Sequence, residues 1–295
     1  MSETEAQTTK KRTKKDDYIV QGSILAAAAV LTKIIGVVYR IPLTNILGDE
    51  GNGFYGYAYQ VYAIALMISS FSLPTAVSKL VSIRLAKRQR RNAFRVFICS
   101  LAFAIGVGLF ISLTIFLGAG LISTHLMKSP LSVYALRVLA PGLLIVAVMA
   151  VIRGYFQGMN NMIPTAVSQI TEQIFRVAAG LTMAMFLKDN VWIFDGFTWQ
   201  QRGAAGGCFG AAAGGLGGLL AILIMYLMVR RQLKERIRQD RIRRRSSSLL
   251  LLKRILIIAL PVTLGAAIMP MPEWWRSGCR PPDGRKKWQR IYTVS

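Results

Sequence analysis

The chain has 295 residues, of which 53% are hydrophobic and only 17% charged, with a net charge of +24. A soluble domain carries about a quarter charged residues, so this composition points away from a soluble protein and toward a membrane one. The basic excess does not indicate nucleic acid, because it sits in short clusters between long apolar runs.

Residues 1–17 read as a polar, basic cytoplasmic tail. The apolar run that follows is too long for a signal-peptide core and has no small-residue cleavage site, so it reads as a retained first span. Six segments are long enough to cross roughly 30 Å of hydrocarbon. They fall at about 18–46, 54–83, 94–122, 131–156, 162–187 and 204–229, and form a six-helix transmembrane lobe over 18–229. Residues 230–253 are expected to form a cytoplasmic basic linker helix in contact with anionic lipid. Residues 254–271 are just long enough to begin a seventh helix. The predicted fold class is an all-α polytopic membrane protein with six to seven transmembrane helices.

Counting Lys and Arg tests this topology. The N-terminal tail and the loops on its side hold 23, with Arg153 assigned to the loop between spans four and five. The opposite side holds only Lys128, Lys188 and Arg202. This bias places the N-terminus in the cytoplasm.

No catalytic constellation emerges, so no enzyme is expected. The single histidine, His125, falls in a short outer loop, and Cys99, Cys208 and Cys279 form no metal-type pair. No cofactor is expected either.

The informative residues are charges inside the spans. An ionisable side chain at mid-membrane costs at least about 2.5–3.5 kcal/mol on insertion scales, and normally faces a bundle interior or a water-filled cavity. Span one carries Lys33 and Arg40, on one helix face and about 10 Å apart. Span two carries Lys79, span four Arg137, and span five Glu172 and Arg176. Gln169, Glu172, Gln173 and Arg176 recur at i, i+3, i+4 and i+7, a polar stripe that lipid would not accept. Plainer readings stand beside these. Lys79 and Arg137 can snorkel to the interface, and Glu172 and Arg176 can pair along their own helix. The cations nonetheless outnumber the one acid, and an excess of buried cation implies an anionic substrate. Substrate-binding candidates are Lys33, Arg40, Arg137, Gln169, Glu172, Gln173 and Arg176.

Two further patterns belong to packing or to the cavity wall. Tyr55, Tyr59 and Tyr62 share a face, either an interfacial aromatic belt or a sugar-stacking wall. Gly206, Gly210, Gly214 and Gly218 recur every fourth residue in span six, a small-xxx-small face for close helix approach.

The stretches TKIIGVVYRIPLTNILGDEGNGFYGYAYQVY (32–62), FSLPTAVSKLVS (71–82), RGYFQGMNNMIPTAVSQITEQIFRV (153–177) and PVTLGAAIMP (261–270) carry a family resemblance. They resemble the stage V sporulation protein B branch of polysaccharide-biosynthesis exporters. That branch is similar to the MurJ-like lipid II flippases, within the multidrug/oligosaccharidyl-lipid/polysaccharide exporter superfamily. The resemblance implies the N-terminal lobe of a two-lobe exporter fold around a central cavity. It also implies flipping of an undecaprenyl-diphosphate-linked sugar, with Lys33 and Arg40 matching cavity arginines of the first helices. Lys33 departs from the arginine common there. A second lobe is expected by the resemblance, so the chain should need a missing C-terminal lobe or self-association. Residues 272–295 hold six Lys/Arg and read as a tail foreign to the fold, as after a frameshift or truncation. Two other functions fit less well: a multidrug or cation antiporter, which would need cavity acids, and a non-transporting scaffold in envelope or spore assembly.

Overall fold

The structure is a computed structural model that describes residues 3–126, 132–189, 198–238, 251, 253–259 and 261. Its long elements are all helical: α1 (Glu3–Leu66), α2 (Leu73–Ala86), α3 (Arg90–Leu121), α4 (Val133–Gly158), α5 (Ile163–Asp189) and α6 (Trp199–Arg238). Short π-helical turns, Met67–Phe71 and Ile122–Leu126, follow α1 and α3. Five of the described helices are long and apolar enough to cross a membrane.

The first of these, Ile19–Leu66, has 48 residues. At about 1.5 Å per residue it is over twice the thickness of a ~30 Å hydrocarbon layer. It is two spans in one. Gly48 sits at φ 67°, ψ 179°, a conformation that side-chain-bearing residues avoid. In a straight helix Arg40 and Tyr59 would stand about 28 Å apart, yet both line a single cavity. The chain therefore folds back at Gly48 into a proximal arm (3–47), which holds predicted span one (18–46), and a distal arm (49–66), which holds the first part of predicted span two (54–83).

The second predicted span, 54–83, is interrupted just before Pro74, where a mid-span proline is expected to kink a helix. The helix loosens into the π turn at 67–71, stops at Ser72, and restarts as α2 with Pro74 in its first turn. A proline there forfeits no hydrogen bond, because first-turn N–H groups have no intrahelical partner. Ser69, Ser70 and Ser72 are buried at the break. Ser69 and Ser70 share a hydroxyl hydrogen bond of 2.8 Å, and Thr75 Oγ1 donates to the Ser72 carbonyl at 2.8 Å. Such pairing is what a broken helix needs at membrane depth.

Lipid tails are as apolar as leucine, so membrane helices associate through close packing rather than water exclusion. The α5–α6 seam does this with the glycine face. A Cβ at Gly206 would lie 2.5 Å from the Met183 carbonyl oxygen, and one at Gly210 2.5 Å from Gly180 Cα. One at Gly214 would lie 2.8 Å from the Glu172 carbonyl oxygen, and one at Gly218 3.1 Å from that of Ser168. Only glycine admits this backbone contact. Gly154 and Gly158 of α4 seat α2 in the same manner, meeting Pro74 and Val81.

Three apolar clusters complete the lobe. One joins α2, α3, α4 and α6 through Val77, Phe97, Tyr155 and Ile222, and takes in Leu251 and Ile255. Another joins the distal arm to α3, α4 and α6 through Tyr62, Leu136, Leu143 and Cys208. The third joins the proximal arm to α5 and α6 through Tyr39, Leu43, Leu47 and Ala184. α6 runs unbroken from the last predicted span into the basic linker, as far as Arg238. Of the predicted seventh helix, residues 254–259 are helical, together with Lys253 at the end of the linker. Residue 261 is helical too, while residues 260 and 262–271 of that helix, linker residues 239–250 and 252, and the tail 272–295 lie outside the described residues.

Candidate functional site

The two arms of α1 and helix α5 enclose a cavity of about 450 Å³. The proximal arm lines it with Gly36, Tyr39, Arg40 and Leu43, and the distal arm with Tyr55, Gly56, Tyr59 and Gln60. Helix α5 closes it with Gln173 and Arg176. The fold-back at Gly48 brings the arms together, and the glycine seam holds α5 at the right depth. Gly207 supports the arms from behind, with Leu43 and Tyr55 both in van der Waals reach of its Cα side.

Arg40 is exposed, and no ion pair engages it among the described residues. Arg176 is held differently. Glu172, one turn earlier on α5, accepts from Arg176 Nη2 at 2.9 Å through one carboxylate oxygen. Through the other it accepts from Arg153 Nη2 of α4, also at 2.9 Å. The side chains of Arg153, Glu172 and Arg176 are 14%, 15% and 19% exposed, so the triad is largely withdrawn from solvent. Arg153 Nε donates in turn to Ser168 Oγ at 2.7 Å. One carboxylate between two guanidiniums leaves the triad with a net positive charge, and its Arg176 end faces the cavity. Arg176 Nε is buried without a hydrogen-bond partner.

Arg153 corrects the sequence reading, which assigned it to a loop. Helix α4 continues through Gly158, so Arg153 lies more than a turn inside it and faces α5. The signal was present in the glycines at 154 and 158, which show that the helix still packs beyond residue 153. Among the other candidates, Gln173 lines the cavity and its Nε2 donates to the Thr32 carbonyl at 3.0 Å, tying α5 to the proximal arm. Gln169 Oε1 is buried and unpaired outside the lining. Lys33 is exposed on the proximal arm, on the face of Arg40 but beyond the lining. Arg137 stands apart, exposed on α4 with its guanidinium 5.9 Å from the Tyr134 ring centroid.

The tyrosine face turns inward. Tyr55 and Tyr59 stack at 5.6 Å between centroids, and Tyr59 and Tyr62 follow at 5.8 Å. Tyr62 is only 1% exposed, which is not the position of an interfacial belt.

The family model described as polysaccharide biosynthesis protein matches residues 20–272. In Bacillus subtilis (strain 168), the chain is 35% identical over 212 residues to the uncharacterized membrane protein YabM, covering 72% of this chain and 37% of that one. It is 28% identical to Stage V sporulation protein B, covering 72% and 39%. It is 29% identical to Lipid II flippase MurJ, covering 69% and 38%. The chain thus spans under two-fifths of the length of these relatives. Among solved structures, an outward-facing multidrug resistance MATE family transporter of the MOP superfamily superposes with a TM-score of 0.63 at 19% identity, over 85% of this chain and 52% of that one. The family resemblance read from the sequence is borne out, and the helical lobe has the fold of about half of such a transporter.

Proposed function

The chain belongs to the polysaccharide biosynthesis protein family, and from that premise we propose that it serves as one lobe of a flippase for a lipid-linked oligosaccharide. The substrate is an undecaprenyl-diphosphate-linked sugar, lipid II-like or a polysaccharide precursor. The observation that carries this reading is the pair Arg40 and Arg176, set on different helices around one cavity whose lining has no carboxylate. A diphosphate supplies the missing negative charge, and guanidinium groups bind phosphate oxygens through short, charge-assisted hydrogen bonds. Lys33 lies on the same face of the proximal arm, nearer its N-terminus, and receives the anion on its way to Arg40. Gln173 and the Arg153–Glu172–Arg176 triad hold the far wall, with Gln169 behind it, while Arg137 contacts headgroups at the opposite interface. A second lobe, from a C-terminal continuation or another copy, closes over the cavity during alternating access. The N-terminus is cytoplasmic, in a bacterial cytoplasmic membrane, with the basic clusters against anionic lipid.

The cation-antiporter reading is weaker, because Glu172 is engaged by two arginines and is not free to hold a cation. Binding of undecaprenyl diphosphate to the purified chain in lipid nanodiscs, followed by native mass spectrometry, tests the proposal. Arg40→Ala removes a charge-assisted hydrogen bond and is expected to weaken binding about tenfold or more. Arg40→Lys is expected to keep part of the affinity, since the charge survives without the bidentate fork. Equal binding by Arg40→Ala and the unsubstituted chain would overturn it.

A further inference from the structure

We infer that the cavity has two chemically distinct halves, and that Tyr59 and Gln60 of the distal arm form a subsite for the sugar attached to the diphosphate. This inference rests on the lipid-linked substrate proposed above and assigns the part of it that the guanidiniums do not explain.

One half is cationic, formed by Arg40 and Arg176. The other is uncharged, formed by the distal arm with Tyr55, Gly56, Tyr59 and Gln60. Phosphate oxygens only accept hydrogen bonds, so a diphosphate gains nothing from an aromatic face or from a hydrogen-bond acceptor. Gln60 provides such an acceptor. Its side chain is exposed, it lines the cavity, and no hydrogen bond is made to it by the described residues. A carboxamide offers one acceptor oxygen and two N–H donors. A ligand that uses both must itself carry donors and acceptors together, as sugar hydroxyls and acetamido groups do.

Tyr59 supplies the complementary apolar contact. Its ring is fixed in advance by Tyr55, parallel to within 18° at 5.6 Å, and by the buried Tyr62 at 5.8 Å. A ring already held in place loses little freedom when a ligand binds. A pyranose presents a face of C–H groups, whose positive edge is attracted to the negative face of an aromatic ring. Gly56 precedes Gln60 by one helical turn and Tyr59 by three residues, and a Cβ built on it meets nothing within 4 Å. The distal arm is therefore recessed beside both residues, with open space for a ring. The sugar would lie against this recess while the diphosphate reaches across to Arg40 and Arg176.

The test uses two probes of equal charge with the purified chain in nanodiscs: geranyl diphosphate capped on its terminal phosphate as the methyl ester, and the same diphosphate bearing N-acetylglucosamine in place of the methyl group. Affinities are read by isothermal titration. The unsubstituted chain is expected to bind the sugar-bearing probe about tenfold more tightly, the scale of one stacking contact plus a hydrogen bond. Tyr59→Ala and Gln60→Ala are each expected to bring the ratio of the two affinities down toward one. Tyr59→Phe keeps the ring and is expected to retain most of the ratio, which guards against a purely structural effect of Tyr59→Ala. Arg40→Ala is expected to weaken both probes by the same factor and leave the ratio intact. If the ratio is unchanged in Tyr59→Ala and Gln60→Ala while Arg40→Ala weakens both probes, the sugar subsite is wrong and the anion site stands. If neither probe binds the unsubstituted chain, both readings fall.

Discussion

The glycine seam offers a test in which one glycine-to-alanine substitution inside it and one elsewhere should have opposite signs. A Cβ at Gly210 would lie 2.5 Å from Gly180 Cα, 2.7 Å from the Arg176 carbonyl oxygen and 2.8 Å from Gly180 N. All three atoms are backbone, so no side chain can swing away. Ordinary contact for a Cβ begins near 3.4 Å, so α5 and α6 must separate by most of an ångström around Gly210→Ala. Overpacking of this kind costs about 1–3 kcal/mol, offset by at most ~1 kcal/mol from the better helix propensity of alanine. Gly106→Ala is the control. Its Cβ meets nothing within 4 Å on α3, so only the propensity gain remains and stability should rise by about 0.5–1 kcal/mol. Thermal unfolding in a mild detergent, followed by tryptophan fluorescence, separates the two. Gly210→Ala is expected to melt a few degrees lower, at roughly 2–4 °C per kcal/mol for a chain of this size, and Gly106→Ala at or above the unsubstituted chain. If Gly210→Ala melts with the unsubstituted chain, the backbone contact between α5 and α6 does not exist and this account of the seam is refuted.

Further outcomes follow from other parts of the lobe. Glu172→Gln strands two buried guanidiniums and should destabilise by about 3 kcal/mol, the scale for breaking a buried ion pair. Adding Arg153→Met should restore part of that loss, and strict additivity of the two substitutions in thermal unfolding would contradict the triad. Gly48→Ala forces an alanine into a region reserved for glycine, at a cost of about 1–3 kcal/mol, and an unchanged melting temperature would remove the fold-back as the reason for this residue. For orientation, in a chain with Cys99, Cys208 and Cys279 replaced, Asp49→Cys should react with an impermeant maleimide from outside and Lys87→Cys should not. The reverse pattern would invert the assigned topology.

Part of this molecule is encoded in one-dimensional patterns. Apolar run lengths placed the spans, since hydrocarbon thickness fixes how many residues a helix needs. The four-residue spacing of Gly206 to Gly218 placed a close-packing face on α6, because that spacing keeps one side of a helix bare. The polar stripe on α5 marked the face that avoids lipid. Features that depend on a neighbour exist only in the folded chain. Lys33 and Arg40 share a helical phase, yet the cavity opens only beside Arg40, where α5 presents Gln173 and Arg176. The tyrosine spacing fits a belt or an inner wall equally, and only the fold-back at Gly48 turns those rings toward the proximal arm. Arg153 and Glu172 are 19 positions apart across a helix connection, so their pairing exists only once α4 and α5 lie side by side. The break at 67–72 left no trace in hydropathy, because serine is nearly neutral on such a scale, and the pairing of Ser69 with Ser70 and of Thr75 with the Ser72 carbonyl appears only in the folded chain. Periodicity reports which face of a helix is special. What that face meets is set by the angle and depth at which the next helix arrives.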